Sequence, residues 1–211
     1  MTPRKGANEP ASAKPANVEL ADGEPADVVW RVVLVGMMGS GKTTVGRLVA
    51  DRMNVEFADT DDEVESATGL DIPSLFETGG EGAFRAAESK LLVELLSVPG
   101  SRVVSAGGGA VLDESNRAAM RREATVVWLR ADVGTLTDRL GTGEGRPLLA
   151  RNPKRSIARI ESERARIYES VADVVIDTDD RSADQVADAV VEAVRADLRT
   201  SQNSQMRGSK P

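Results

Sequence analysis

The stretch that most restricts what this chain can become is Gly36-Met37-Met38-Gly39-Ser40-Gly41-Lys42-Thr43. It lies between the apolar run Val32-Val33-Leu34-Val35 and the segment Thr44-Val45-Gly46-Arg47-Leu48-Val49-Ala50. It fits the pattern G-x-x-x-x-G-K-[ST] in the setting that pattern requires, a strand before it and a helix after it. Glycines let several backbone N–H groups turn inward around concentrated negative charge, and the helix N-terminus adds partial positive charge. The stretch predicts a polyphosphate cradle made by Gly36, Met38, Gly39, Ser40, Gly41, Lys42, Thr43 and Thr44. Lys42 is placed to reach the β- and γ-phosphates, and the Thr43 hydroxyl to ligate Mg²⁺. A glycine-rich turn that binds nothing is the plain alternative. The coincidence of strand, loop, Lys-Thr pair and the amphipathic spacing of Val45, Leu48 and Val49 argues against it.

Composition narrows the chemistry around that cradle. The 211 residues allow one domain with a proper core, and with only 3% aromatics that core must be packed by Val, Leu, Ile and Ala. There is no cysteine, which excludes disulfides and thiolate metal sites and suits a reducing cytoplasm. There is no histidine either, so acid–base work falls to carboxylates, Lys, Tyr or the substrate. A net charge of −7 argues against general binding to nucleic acid or membrane surfaces, both anionic. No apolar run approaches the ~20 residues that span a bilayer, and no secretion signal is evident, so a cytoplasmic protein is expected.

Residues 1–28 hold four prolines, many alanines and mixed charge, and are expected to form a disordered leader. Glu9, Glu19, Asp22, Glu24 and Asp27 make them too acidic for a transit peptide. From Val29 the pattern alternates strand and helix. Strands are predicted at 30–35, 55–58, 102–106, 125–129 and 173–177. Helices are predicted at 42–53, 70–76, 82–97, 113–122, 132–140, 154–170 and 182–198, with a break at Gly79-Gly80 and Asp71 as an N-cap. On helix 82–97, Phe84, Ala87, Leu91, Leu92 and Leu95 share a face. Gly141-Thr142-Gly143-Glu144-Gly145-Arg146-Pro147 reads as a mobile segment, and residues 200–211 as a polar, disordered tail. Apolar strands alternating with helices indicate an α/β fold, a parallel sheet covered on both faces with ligands beyond the carboxyl ends of its strands.

Three features at those strand ends have two readings each. Asp59 and Asp61 would share a side if strand geometry persisted, one on the water shell of Mg²⁺ and one on a substrate hydroxyl; alternatively they only cap the next helix. Arg85 and Glu88 stand one above the other at i and i+3, so that Glu88 aims the guanidinium, or else they form an ordinary surface pair. Gly107-Gly108-Gly109 permits close backbone approach to a ligand, or is a plain turn.

In this order the pieces resemble the shikimate kinase family, within the P-loop nucleoside-monophosphate-kinase-like group. The matching segments are GMMGSGKT at 36–43, FADTD at 57–61, FRAAE at 84–88, GGGAV at 107–111, RPLLA at 146–150 and ERARIY at 163–168, covering about residues 30–198. The resemblance implies a three-layer α/β/α fold with a five-stranded parallel sheet in the order 2-3-1-4-5. It implies a kinase domain over 29–199, with substrate-binding helices over about 61–97 and a lid over about 141–154. It implies transfer of the γ-phosphoryl of ATP, with Mg²⁺, to the 3-hydroxyl of shikimate, on the route to chorismate and the aromatic amino acids, by a monomer.

Carried over residue by residue, the resemblance places Asp61 and Gly108, within Gly107–Gly109, on the substrate hydroxyls. It places Arg85 and Arg164 on the substrate carboxylate, Thr43 and Asp59 around Mg²⁺, Arg146 on the transferred phosphate and Arg139 beside the adenine. Lys42, Asp61 and Arg146 are then the catalytic candidates. One departure concerns the metal side: strand three ends Val103-Val104-Ser105-Ala106, with no carboxylate where many P-loop enzymes carry an Asp. A relative acting on another hydroxy acid, such as gluconate, and a non-catalytic nucleotide-binding relative are the alternatives. Arg85, Arg164 and the Asp-Thr-Asp pair speak against the first, and the intact Lys42, Asp61 and Arg146 against the second.

Overall fold

The computed structural model describes residues 29–141, 149 and 152–208, with side chains through Asp197. Five short strands, β1 (Arg31–Val35), β2 (Glu56–Asp59), β3 (Arg102–Ser105), β4 (Thr125–Arg130) and β5 (Val174–Asp177), pair in parallel in the order β2-β3-β1-β4-β5. This is the expected order. Parallel neighbours need long crossovers, which helices supply on both faces. They are α1 (Lys42–Met53), α2 (Thr60–Thr68), α3 (Ile72–Ser97), α4 (Glu114–Glu123), α5 (Val133–Leu140), α6 (Pro153–Val171) and α7 (Ala183–Gly208). A short 3₁₀ turn, Ala110–Leu112, precedes α4.

The two-residue period of β1 divides the core. Val33 and Val35 face a cluster with Leu92, Leu96, Met120 and Ile160, while Val32 and Leu34 face one with Val45, Val49, Val186 and Val190. Burying each such side chain is worth roughly 1.5–3 kcal/mol, so β1, central and buried on both faces, rigidly anchors the glycine loop that it launches. A third, smaller cluster of Val64, Leu75 and Phe84 lies between α2 and α3, apart from the sheet.

Several local expectations need correction. Helix α2 has Val64 as its only large apolar residue, so periodicity cannot reveal it. It forms because Asp59 caps it and Asp61, Asp62 and Glu63 in its first turn complement the helix dipole. The predicted break within 70–97 is present as Gly80, at φ 72° and ψ 176°, and Asp71 does cap α3, accepting from the Ser74 N–H at 2.8 Å. The buried stripe of α3 is Phe84, Glu88, Leu92 and Leu96, whereas Ala87, Leu91 and Leu95 are only partly covered. Helix α7 runs to Gly208, past the expected end at 198 and into the expected tail. No Gly or Pro interrupts it before Gly208, and Gln, Arg and Met there are good helix formers. The leader, and most of the lid with Arg146, lie outside the described residues.

Candidate active site

The loop after β1 is built for an anion. Gly36, Gly39 and Gly41 all have positive φ, and a Cβ on Gly36 would come within 2.5 Å of the Leu129 carbonyl oxygen. Helix α1 begins at Lys42 with no side-chain cap and no acid in its first turn, although every helix N-terminus carries N–H groups in need of a partner. Helix α2, beside it, has both. Lys42 is buried, and its ammonium donates to the carbonyls of Gly36 at 3.0 Å and Met37 at 3.1 Å. The Ser40 hydroxyl is buried in the same loop with no hydrogen-bond partner among the described residues. Buried polar groups are rarely left unsatisfied, so the loop is complete only with a ligand that brings acceptors.

A cleft of about 520 Å³ opens above this loop, bounded across from it by Asp59, Asp61, Gly107 and Gly108. Beside the start of α1 the Thr43 hydroxyl donates to Asp59 Oδ2 at 2.7 Å, while Asp59 Oδ1 accepts the Asp61 N–H at 3.0 Å. The capping reading of Asp59 therefore holds for one carboxylate oxygen, and the other is engaged by the Thr43 hydroxyl. Strand geometry does not persist to Asp61, which sits in the first turn of α2. Asp59 pairs in register with Ser105, so the carboxylate missing from β3 stands at the same level on the adjacent strand. Among the described residues no three His, Cys, Asp or Glu side chains cluster to hold a metal. One hydroxyl beside one carboxylate fits Mg²⁺, which keeps several waters and takes phosphate oxygens rather than an all-protein cage.

Arg139 closes the other end of the cleft. It donates to the Thr178 hydroxyl at 3.0 Å, the Thr178 carbonyl at 2.8 Å and the Gly39 carbonyl at 3.4 Å, stitching the loop to the segment after β5. Thr178 and Arg181 also line the cleft, and sequence reasoning missed both, because they belong to no motif and follow an unremarkable edge strand.

The glycine triplet is where the parts converge. None of the three has positive φ, so the residues are not needed for a turn. They are needed for space. A Cβ on Gly107 would lie 2.1 Å from Glu88 Oε1 and 3.0 Å from Asp61 Oδ1, one on Gly109 within 2.5 Å of the Arg85 guanidinium, and one on Gly108 3.2 Å from the Gly36 carbonyl. Gly107 donates its N–H to the Thr60 hydroxyl at 2.9 Å. The Gly108 carbonyl accepts from Arg164 at 2.9 Å and from the Tyr168 hydroxyl at 2.5 Å. The carbonyls of Gly107 and Gly109 accept from Ala110 and Leu112, each at 3.0 Å. Thr60 and Tyr168 went unread in the sequence, although Tyr168, four residues after Arg164, shares its helix face.

Arg85 is held between Glu88 at 2.7 Å and Glu81 at 3.2 Å, and Glu88 is fully buried. Arg85–Glu88 is thus no ordinary surface pair. Burial drives the Glu88 carboxyl above the usual Glu range; the Arg85 guanidinium opposes the rise and the Asp61 charge adds to it. The structure therefore gathers Lys42, Thr43, Asp59, Asp61, Arg85, Gly107–Gly109, Arg139 and Arg164 around one cleft and its floor.

Known proteins are similar to this chain in sequence and in fold. A family model described as shikimate kinase matches residues 38–195. A shikimate kinase of Aromatoleum aromaticum is 46% identical over 147 residues, 69% of this chain and 83% of that protein. One of Bradyrhizobium diazoefficiens is 39% identical over 175 residues, 82% of this chain and 84% of that protein. The solved structure of a shikimate kinase from Acinetobacter baumannii in complex with shikimate is 35% identical and superposes with a TM-score of 0.77, covering 80% of this chain and 94% of that one.

Proposed function

The chain belongs to the shikimate kinase family, and from that premise we propose that it transfers the γ-phosphoryl group of ATP to the 3-hydroxyl of shikimate. The observation that carries the reading is the glycine triplet, packed at once against the phosphate loop, Asp61 and Arg85, which brings an acceptor pocket to the end of a polyphosphate site. Gluconate is not favoured as acceptor, since the family model and these relatives name shikimate.

Each residue role follows from what its atoms can do. The loop amides and the uncapped start of α1 take the polyphosphate, and Lys42 exchanges its carbonyl partners for β- and γ-phosphate oxygens. Thr43 and Asp59 would hold Mg²⁺, which when bound neutralises phosphate charge. Arg139 flanks the base. Arg85, aimed by Glu88, and Arg164 take the acceptor carboxylate, a planar anion suited to guanidinium forks. The N–H groups of Gly108 and Gly109, which no described residue accepts, face the acceptor hydroxyls together with Asp61.

Asp61 orients the attacking hydroxyl and takes its proton; there is no histidine to do so. Arg146 is assigned to the transferred phosphoryl by its place in the RPLLA segment alone. Positioning and charge neutralisation supply most of the acceleration, since phosphoryl transfer needs little covalent help. The reading includes a cytoplasmic monomer, as the family resemblance implies; separately, none of the described helices is long and apolar enough to cross a membrane.

Coupled ADP release with each acid tests the reaction. Turnover on shikimate is expected; turnover on gluconate and none on shikimate would overturn the substrate. Asp61→Asn is expected to bind ATP normally and lose transfer, and a normal rate would remove Asp61 from the chemistry.

A further inference from the structure

The hydroxyl of Tyr168 ties the backbone of the glycine triplet to the Arg164 guanidinium. Its ring is buried and stacked on Trp128, with centroids 5.7 Å apart and planes inclined by 26°. Its oxygen donates to the Gly108 carbonyl at 2.5 Å and lies 4.0 Å from the Met37 sulfur of the phosphate loop. A carbonyl oxygen has two lone pairs, and the second partner is Arg164, at 2.9 Å. Both acceptor positions of Gly108 are thus filled from α6, leaving none for a substrate hydroxyl.

The planarity of the peptide extends this to a donor. No peptide bond among the described residues is cis, so the N–H of Gly109 lies on the opposite edge of the plane that carries the Gly108 carbonyl. Fixing the carbonyl against α6 fixes the Gly109 N–H on the side away from α6. Sharing the carbonyl also limits how far it draws Arg164, which gives one N–H to the carbonyl, hydrogen-bonds with the Tyr168 oxygen as well, and has further donors to offer an anion.

Resting on the reading of the site as a shikimate kinase, we propose that Tyr168 is a positioning residue for the acceptor: its hydroxyl locks the Gly108–Gly109 peptide and poises Arg164, and so sets acceptor affinity without touching the nucleotide. Burial pushes the phenol up to about 12, against the pull of the neighbouring Arg164 charge, so the group keeps its proton and remains a donor throughout the neutral range.

Tyr168→Phe in the full chain tests this, because the ring and its stacking on Trp128 are retained. The KM for shikimate is expected to rise about tenfold, the loss of one buried hydrogen bond, while the KM for ATP stays within about twofold. An unchanged shikimate KM, or equal rises for both substrates, would overturn the proposal. A purely structural role would lower the melting temperature and move neither KM.

Tyr168 is the only tyrosine in the chain, so 3-fluorotyrosine labelling gives one fluorine resonance in the otherwise native protein. This measurement decides the matter if the Phe variant does not fold. The resonance is expected to shift when shikimate alone is added, and a resonance that shikimate leaves in place would overturn the proposal. Wild-type protein inactive on shikimate defeats the functional reading itself; active wild type with an indistinguishable Phe variant defeats this inference alone.

Discussion

The two sides of the cleft are made differently. The phosphate side is nine consecutive residues, 36–44, working through backbone amides and mounted on β1, the central strand buried on both faces. The acceptor side gathers Asp61 from α2, Arg85 and Glu88 from α3, Gly107–Gly109 after β3, and Arg164 and Tyr168 from α6. Helix α2 and the first half of α3 meet in the small cluster of Val64, Leu75 and Phe84, while the second half of α3 sets Leu92 and Leu96 into the main core. A site made largely of main chain depends on its glycines and on the few side chains of the same short stretch, Lys42 and Thr43, that reach past the backbone. A site made of distant side chains depends on every packing contact that sets their distances, and it is the side on which relatives within this fold can differ in substrate.

Substitutions on each side should separate these dependences. Lys42→Met is expected to reduce turnover by about a thousandfold or more while the fold is kept, since the charge on the transferring group loses its fixed cation. A rate within tenfold of wild type, measured by ADP release, would break the contrast at its strongest point.

On the other side, Gly107→Ala drives a methyl group into Glu88 and Asp61, and is expected to lower kcat/KM for shikimate by about a hundredfold with ATP affinity retained. Titration calorimetry with a nucleotide analogue checks the second half. Arg85→Ala is expected to raise the KM for shikimate by tenfold or more, and that for ATP much less; the reverse pattern contradicts the carboxylate assignment.

Val64→Ala probes the small core. It is expected to cost about 1–3 kcal/mol in urea unfolding and to raise the shikimate KM a few-fold, leaving the KM for ATP in place. Equal changes in both would show that the two sides share one support.

The smallest effect is one of pH. The Glu88 carboxyl titrates higher in the folded chain than in the unfolded one, so the folded state binds more protons, and the stability this group contributes is lost as pH rises from the ordinary Glu range through its raised value. Against Glu88→Gln, the melting temperature of wild type is therefore expected to fall by a few degrees between acidic and neutral pH. A difference that stays flat or grows with pH would remove Glu88 from this role.

Legibility followed the same division. The loop and helix 42–53 were read to the residue, and the strand before them to within one, because consecutive residues carry both the pattern and the structure. Asp59 and Asp61 were recognised as a pair with two readings, a shared side if strand geometry persisted or capping of the next helix, and only the structure shows that the strand ends at Asp59, which caps α2. The triplet was read as permitting close backbone approach to a ligand or as a plain turn, while the structure adds the nearness of Glu88, Asp61 and Arg85, a fact of packing. Glu88 in the stripe of Phe84, Leu92 and Leu96 was a readable anomaly, an acid at a core position of a helix.

From the order of its residues alone, this chain has a phosphate cradle, five short strands with helices between them, and a family's series of motifs, because each is made by near neighbours. Which groups oppose one another across the cleft was settled only by folding. Arg164 and Tyr168 meet Gly108 from 56 and 60 residues away, and no local propensity encodes that meeting. The sheet order and the packing of α6 against the triplet create it, because hydrogen bonds and charge act over a few ångströms in space regardless of separation along the chain.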